Sequence, residues 1–368
     1  MPVYAYTTAA GEHRYRVLYR DPQHHQRSKR GFKRKRDAED YEAGIRVEKR
    51  AGNWIDPTDA AVTITALSLG WFATKKATLR PSSYHPLEVS WRTHVAPIWG
   101  RAELRAVKHD AVQAWVNDLA DNRSATTVLR AFSILKGICE TAVLERRITA
   151  SPCVNIQLPR KTPKPHAYLT HEQLWRLAAE CGDRQPLVLT LGYCGIRWGE
   201  AIALTVAKVD YQRQRLAIES NVVRVAGRWE IGPTKGNENR SVPFPTFLAS
   251  YLHTQTDGKP PEGLVFPGID GGYFPRPGTG AENGSWFANA VKRARLPHLT
   301  PHDLRHTAAS LAIQAGANVK AVQRMLGHKD ASVTLNTYAD LFDTDLDNVA
   351  QALDQAVRRT DVAKLLPK

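Results

Sequence analysis

Apolar residues recur along this chain with two different periods, and the switches between them divide it into pieces. Alternation dominates the start. Val3 to Thr8 reads as a strand, Arg14 to Arg20 as a half-exposed strand, and Ser28 to Phe32 as a third. Asp21-Pro22 signals a turn, and a helical pattern runs from Asp37 to Arg50, where Gly52-Asn53 stops it. Between residues 60 and 150 the spacing becomes helical, over Val62–Lys75, Arg80–Trp91, Ala111–Leu119 and Ala125–Leu144. Asp110 and Ser124 are the expected N-caps of the last two helices. Trp71, Trp91, Trp99 and Trp115 are expected in the core of this bundle. Residues 157–167 hold three prolines and three basic residues, the composition of an extended, stiff linker.

Beyond Tyr168 helices mix with a small antiparallel sheet. Thr170 caps a helix starting at His171-Glu172. Pro186 to Ile196 is the longest apolar run; it suits a buried helix and falls short of the ~18 residues of a membrane span. Strands are expected at Arg215–Glu219, Val222–Val225, Arg228–Ile231 and Arg240–Val242, with turn chemistry at residues 232–237 joining the last two. From Trp286 the pattern is helical to the end. The expected fold class is multidomain and mainly α with small β-sheets: a small α/β domain (1–55), a helical domain (60–156), a linker (157–167) and a mixed α+β domain with a tail helix (168–368).

Composition narrows the function. In 368 residues, 42% hydrophobic and 24% charged, there is too much apolar content for a disordered chain. The four cysteines are scattered without a C-x-x-C pair, which argues against a zinc site or a disulfide framework and fits a reducing cytosol. The first residues carry no apolar stretch of signal-peptide length. Lys and Arg outnumber Asp and Glu by 51 to 36, a net +15 that points to a polyanionic partner, with nucleic acid ahead of membrane. Seven of the ten residues from Arg27 to Arg36 are basic. Such density repels itself unless a partner neutralises it, so Arg27, Lys29, Arg30, Lys33, Arg34, Lys35 and Arg36 are candidate DNA contacts on a small basic sheet. Lys75, Lys76 and Arg80 in the helical piece, and Arg160, Lys161 and Lys164 in the linker, are candidates to track a phosphate backbone.

Four local motifs carry candidate chemistry: Gly195-Ile196-Arg197-Trp198-Gly199-Glu200; Lys235 in a Gly/Asn-rich turn; Thr300-Pro301-His302-Asp303-Leu304-Arg305-His306; and Leu326-Gly327-His328, followed ten residues later by Tyr338. H-x-x-R occurs three times, so its spacing alone means little. Only His302/Arg305 follows a helix-start signal, Thr300 as N-cap and Pro301 as first helical residue, which puts both side chains on one face of a turn that favours anions. Arg197 follows an apolar helix and is expected to be half buried, with Glu200 holding its guanidinium.

In this order the set resembles the tyrosine recombinase family, the phage-integrase type of site-specific DNA recombinase. The match is strong over residues 168–340 and shows no departure at the catalytic positions; Ala150-Ser151-Pro152, where many relatives have Asn-Pro, touches no chemistry. Residues 60–150 are similar in pattern to that family's helical core-binding domain, and residues 1–55 to the three-stranded arm-binding domain of some integrases. The resemblance implies that Arg197 and Arg305 clamp the scissile phosphate, His302 accepts the proton of Tyr338, Lys235 protonates the departing 5′ oxygen, His328 donates to the phosphate and Tyr338 forms a 3′-phosphotyrosyl link. It implies double-stranded DNA with core and arm-type sites as partner, a homotetramer on DNA, no metal or other cofactor, a directionality factor or host DNA-bending protein as accessory, a bacterial cytoplasmic location at the nucleoid, and integration of a phage or mobile element. Leu346, Val349, Ala350, Leu353 and Val357 share one helical face, expected to dock on a neighbouring subunit. Two alternatives stay open: a type IB topoisomerase-like relaxing enzyme, and a DNA-binding regulator without catalysis.

Overall fold

A computed structural model describes residues 2–20, 26–50, 59–162, 167–234, 239–278, 284–338 and 353–358. The turn expected at Asp21-Pro22 and the helix stop at Gly52-Asn53 lie outside the described residues. Two compact units divide between Pro163 and Lys164.

The first unit begins with a three-stranded antiparallel sheet, β1 (Val3–Thr7), β2 (His13–Arg20) and β3 (Gln26–Phe32), in that order, followed by α1 (Lys35–Arg50). Alternation in β2 buries Val17 and Tyr19, which with Ala38 and Ile45 of α1 make the small core here. Register then fixes the opposite face. Arg16 pairs with Tyr4 on β1 and with Arg30 on β3, so these three share the side of the sheet away from Val17. Helices α2 (Ile64–Thr78), α3 (Pro81–Ser90), α4 (Ala96–Trp99), α5 (His109–Asn122) and α6 (Ala125–Leu144) follow. Their core holds Trp71, Trp99 and Trp115, while Trp91 packs against it half-buried. The helix expected to end at Trp91 continues through a π-helical turn, Trp91–Val95, into α4. Pro97 cannot donate a backbone bond, and the wider turn lets Ala96 N–H reach the Trp91 carbonyl. Ser124 caps α6 as expected, accepting from Thr127 N. Asp110 does not cap α5: the N-cap is Lys108, whose backbone is extended, and Asp110 sits inside the first turn, where it complements the helix dipole.

The second unit holds α7 (His171–Ala179), α8 (Gln185–Cys194), α9 (Trp198–Ala201), strands β4 (Val209–Asp210), β5 (Arg215–Ile218), β6 (Ser220–Val225), β7 (Arg228–Pro233) and β8 (Arg240–Pro243), and helices α10 (Leu248–Thr256), α11 (Trp286–Arg293), α12 (Asp303–Gln314), α13 (Val319–Leu326) and α14 (Ala331–Tyr338). Residues 353–358 are also helical. Thr170 and Gln173 form a capping box at α7. Nearly every residue of α8 is buried, because α7, α10 and α12 all pack on it. The single expected sheet is two: β4-β5-β8 and the hairpin β6-β7. The turn chemistry at residues 232–237 therefore joins no hairpin. The tight turn of β6-β7 is Ala226-Gly227, both at positive φ, and β8 pairs with β5 instead.

Candidate active site

Segments distant in sequence meet at one cleft of about 370 Å³ in the second unit, lined among others by Arg197, His302, Arg305, His306 and His328. Gly195 starts this convergence. It ends α8 at φ 62°, and a Cβ there would meet the Leu326 side chain at 2.8 Å. The stop turns the chain so that Arg197 becomes the N-cap of α9. Glu200 reaches back, accepting from Arg197 N (2.7 Å) and from its Nη1 (2.8 Å).

Glu200 has a second cation. Arg240, on β8, donates from Nη1 and Nη2 to the two carboxylate oxygens at 3.0 and 2.6 Å, and from Nε to the Met325 carbonyl. Desolvation opposes the charge on this fully buried carboxylate, but the hydrogen bonds and charges of Arg240 and Arg197 prevail and hold its pKa at about 2. Sequence reasoning missed Arg240, because nothing local marks a strand arginine as the partner of a glutamate 40 residues earlier. Arg305, 3% exposed, donates to the carbonyls of Gly195 (2.6 Å) and Leu326. Burial and the charge of Arg197 lower its pKa to about 9. Two guanidiniums thus bond one carboxylate and a third lies within reach of its charge, a balance that favours an incoming anion.

The helix carrying His302 and Arg305 starts differently from expectation. Pro301 and His302 lie on a turn, α12 begins at Asp303, and Thr300 donates from both N and Oγ1 to Asp303 Oδ2 at 2.7 Å. The helix starts two residues later than expected, so the threonine hydroxyl donates to the charged carboxylate and no side chain caps α12. His302 keeps an exposed edge; partial desolvation and then the Arg305 and Arg276 charges lower its pKa.

His328 is fixed by the end of α13. Gly327 is left-handed at φ 66°, and His328 N donates to the Gln323 carbonyl, closing a Schellman turn. His328 Nδ1 lies 2.9 Å from Thr334 Oγ1. Burial and the charges of Arg305 and Arg197 lower its pKa to about 4, so the ring is neutral near pH 7. A Thr334 hydroxyl donating to Nδ1 leaves the proton on Nε2.

Tyr338 closes α14 and is 1% exposed, so it does not itself line the cleft. Burial pushes its pKa up to about 12, although Arg305 pulls it down. Its hydroxyl is 2.9 Å from His306 Nδ1, and His306 does line the cleft. His302, the expected proton acceptor, contacts the His306 ring at 5.1 Å and not the phenol. Sequence reasoning placed His306 at the end of the His302 motif but gave it no role; its one signal was a second histidine one turn after His302. Lys235 lies outside the described residues, as do Leu346, Val349 and Ala350, while Leu353 is exposed.

The remaining cationic candidates, Lys164 apart, fall on the first unit. Arg27, Lys29 and Arg30 line the exposed strand β3, and Lys33 and Arg34 follow it. Lys35 and Arg36 open α1, where cations oppose the helix dipole and so add to an anion-attracting end. Lys75 lies over the Trp71 ring at 5.2 Å, while Lys76, Arg80, Arg160 and Lys161 are exposed. Lys164 is outside the described residues. Arg16, stacked over Tyr4 at 5.8 Å, has its buried Nε unpartnered and was not among the expected contacts.

Residues 167–345 match the phage integrase family model. The tyrosine recombinase XerC of Vibrio vulnificus strain YJ016 is 27% identical over 258 residues, covering 66% of this chain and 75% of that protein. The integrase of Mycobacterium phage D29 is 25% identical over 314 residues, 78% of this chain and 80% of that one. Among solved structures, the Tn1549 transposon integrase in complex with a circular intermediate DNA superposes with a TM-score of 0.66 at 20% identity, covering 78% of this chain and 99% of that one. A helical fold with small sheets and a cationic cleft backed by a tyrosine is the class this defines: an enzyme that recombines DNA. Residues 167–345 form a phage integrase family domain, and the chain is similar to tyrosine recombinases over about two thirds of its length. No helix among the described residues is long and apolar enough to cross a membrane.

Proposed function

We propose that this protein is an integrase that cuts and rejoins DNA at a specific site through a 3′-phosphotyrosyl intermediate formed on Tyr338. The observation that carries the reading is the convergence of Arg197, His302, Arg305 and His328 on one cleft, with the Tyr338 hydroxyl held on a residue of its wall. In-line attack on phosphorus builds charge on the non-bridging oxygens, and two guanidiniums already oriented by Glu200, Gly195 and Leu326 stabilise it without reorganising. Such donors are worth about 3–4 kcal/mol each. His302 and neutral His328, with a proton on Nε2, add hydrogen bonds to the phosphate. The departing 5′ oxygen takes its proton from Lys235. The phosphotyrosyl bond conserves the energy of the bond that was cut, so exchange needs no nucleotide cofactor.

Exchange between two duplexes cuts four strands, one tyrosine per strand, which calls for four subunits, with the tail after Tyr338 docking on a neighbour. Residues 1–55 act as a separate arm-site reader and residues 60–156 as the core-site domain. On the arm reader the sheet face bearing Tyr4, Arg16 and Arg30 meets DNA, with the basic run 27–36 on the flanking phosphates. The basic three-stranded sheet ahead of the helical segment, read as an arm-site reader, favours integration of a phage or mobile element in a bacterial cytoplasm.

A nicked suicide substrate carrying the cognate site, found by selection from random DNA, tests this. Wild-type protein should accumulate a covalent adduct joined to a 3′ end, and Tyr338→Phe should bind equally and form none. Adduct formation by the Phe variant would refute the assignment.

A further inference from the structure

The mechanism above leaves one group unassigned. His306 sits between the nucleophile and the phosphate cleft: it lines the cleft, its ring stands edge-on to His302 at 5.1 Å, and its Nδ1 is 2.9 Å from the Tyr338 hydroxyl. The phenol is 1% exposed and has no other hydrogen-bond partner among the described residues. A buried hydroxyl whose proton points at nothing is costly, so the phenol donates and Nδ1 accepts. That fixes His306 as the neutral tautomer with its proton on Nε2, the form able to take a second one. It is within direct reach of the proton to be removed, which His302 is not.

Resting on the integrase reading, we propose that His306 is the general base for Tyr338. As the phenol oxygen attacks phosphorus, the O–H bond breaks and its proton passes to His306 Nδ1, giving an imidazolium. The new O–P bond forms as the P–O5′ bond breaks, and the 5′ oxygen takes a proton from Lys235. Religation runs the same path backwards: the 5′ hydroxyl attacks and the imidazolium returns its proton to the leaving phenolate. Because His306 itself lines the cleft, the acceptor stays beside the phenol as the ring turns from the protein interior toward a bound phosphate. His302 and His328 are then left to donate to the phosphate.

Single-turnover cleavage of the suicide substrate by the full chain tests this, using His306→Asn, which keeps a hydrogen-bonding group near the Nδ1 position but no basic nitrogen. A matched substrate with sulfur at the bridging 5′ position needs no proton on its leaving group. We expect His306→Asn to fold and bind DNA like wild type and to cleave about 100-fold slower on both substrates. A Lys235→Ala variant should be slow on the oxygen substrate only. In His306→Ala, added imidazole should restore part of the lost rate. Unchanged or faster cleavage by His306→Asn, rescue of that variant by the sulfur substrate, or no response of His306→Ala to imidazole would each overturn the assignment. The integrase reading would survive those results as long as wild-type protein forms the adduct and Tyr338→Phe does not.

Discussion

Arg240 grips both carboxylate oxygens of Glu200, at 3.0 and 2.6 Å, from a strand that follows the glutamate by 40 residues. Glu200 in turn orients Arg197, so the proposed phosphate clamp is built on a residue that does not line the cleft. Arg240→Ala leaves a fully buried carboxylate with one partner in place of two. Equilibrium denaturation should show a loss of about 3 kcal/mol. Arg240→Lys should recover only part, because an ammonium cannot make the paired bonds. Both should slow covalent cleavage more than they weaken DNA binding.

Gly195 is a second such support. Its left-handed φ strains any side chain, and a Cβ would also press on Leu326 and Ala308. Its carbonyl anchors Arg305. Gly195→Ala should cost about 2 kcal/mol in a denaturant titration and reduce the cleavage rate in parallel.

Two groups of the site contribute strongly to acid stability. His328 has a folded pKa of about 4 against an ordinary 6.5, so the unfolded chain binds its proton first; stability is complete above pH 6.5 and falls as the pH drops toward 4. Glu200, at about 2 against 4.5, contributes above pH 4.5 and loses that contribution as the pH falls toward 2. A melting-temperature scan should therefore decline from pH 6.5 downward and steepen below 4.5. His328→Gln should flatten the upper part only.

Sheet contacts to DNA are read from salt dependence. If Arg16 and Arg30 each neutralise one phosphate, the double variant Arg16→Ala/Arg30→Ala should lower the slope of log K against log salt by about two. Filter binding or fluorescence anisotropy across a salt series measures it. An unchanged slope would remove this face from the interface.

Local chemistry is what the sequence made legible. Ser124 and the run after it define α6 with the bounds observed, Ala125–Leu144, and Thr170 with Gln173 announces α7. Gly195 and Gly327 mark helix ends that fix Arg197 and His328. What stayed hidden depends on partners chosen across the chain. β7 pairs backward with β6 across the tight Ala226-Gly227 turn, and β8 pairs with β5. Arg240 finds Glu200, and Tyr338 finds His306, only once α8, α12, α13 and β8 are packed. At α12 the start moved to Asp303, and the Thr300 hydroxyl donates to that carboxylate in place of capping the helix.

The separation of β7 from β8 has a consequence for how such proteins diverge. In a hairpin, one inserted residue either bulges or turns every side chain of a strand to the other face. Pro233 and Arg240 end on different ladders, so the stretch between them, which carries Lys235, is free of that constraint. Its length is open to drift among descendants, lengthening or shortening the tether of the proton donor proposed above while both sheets keep their pairing.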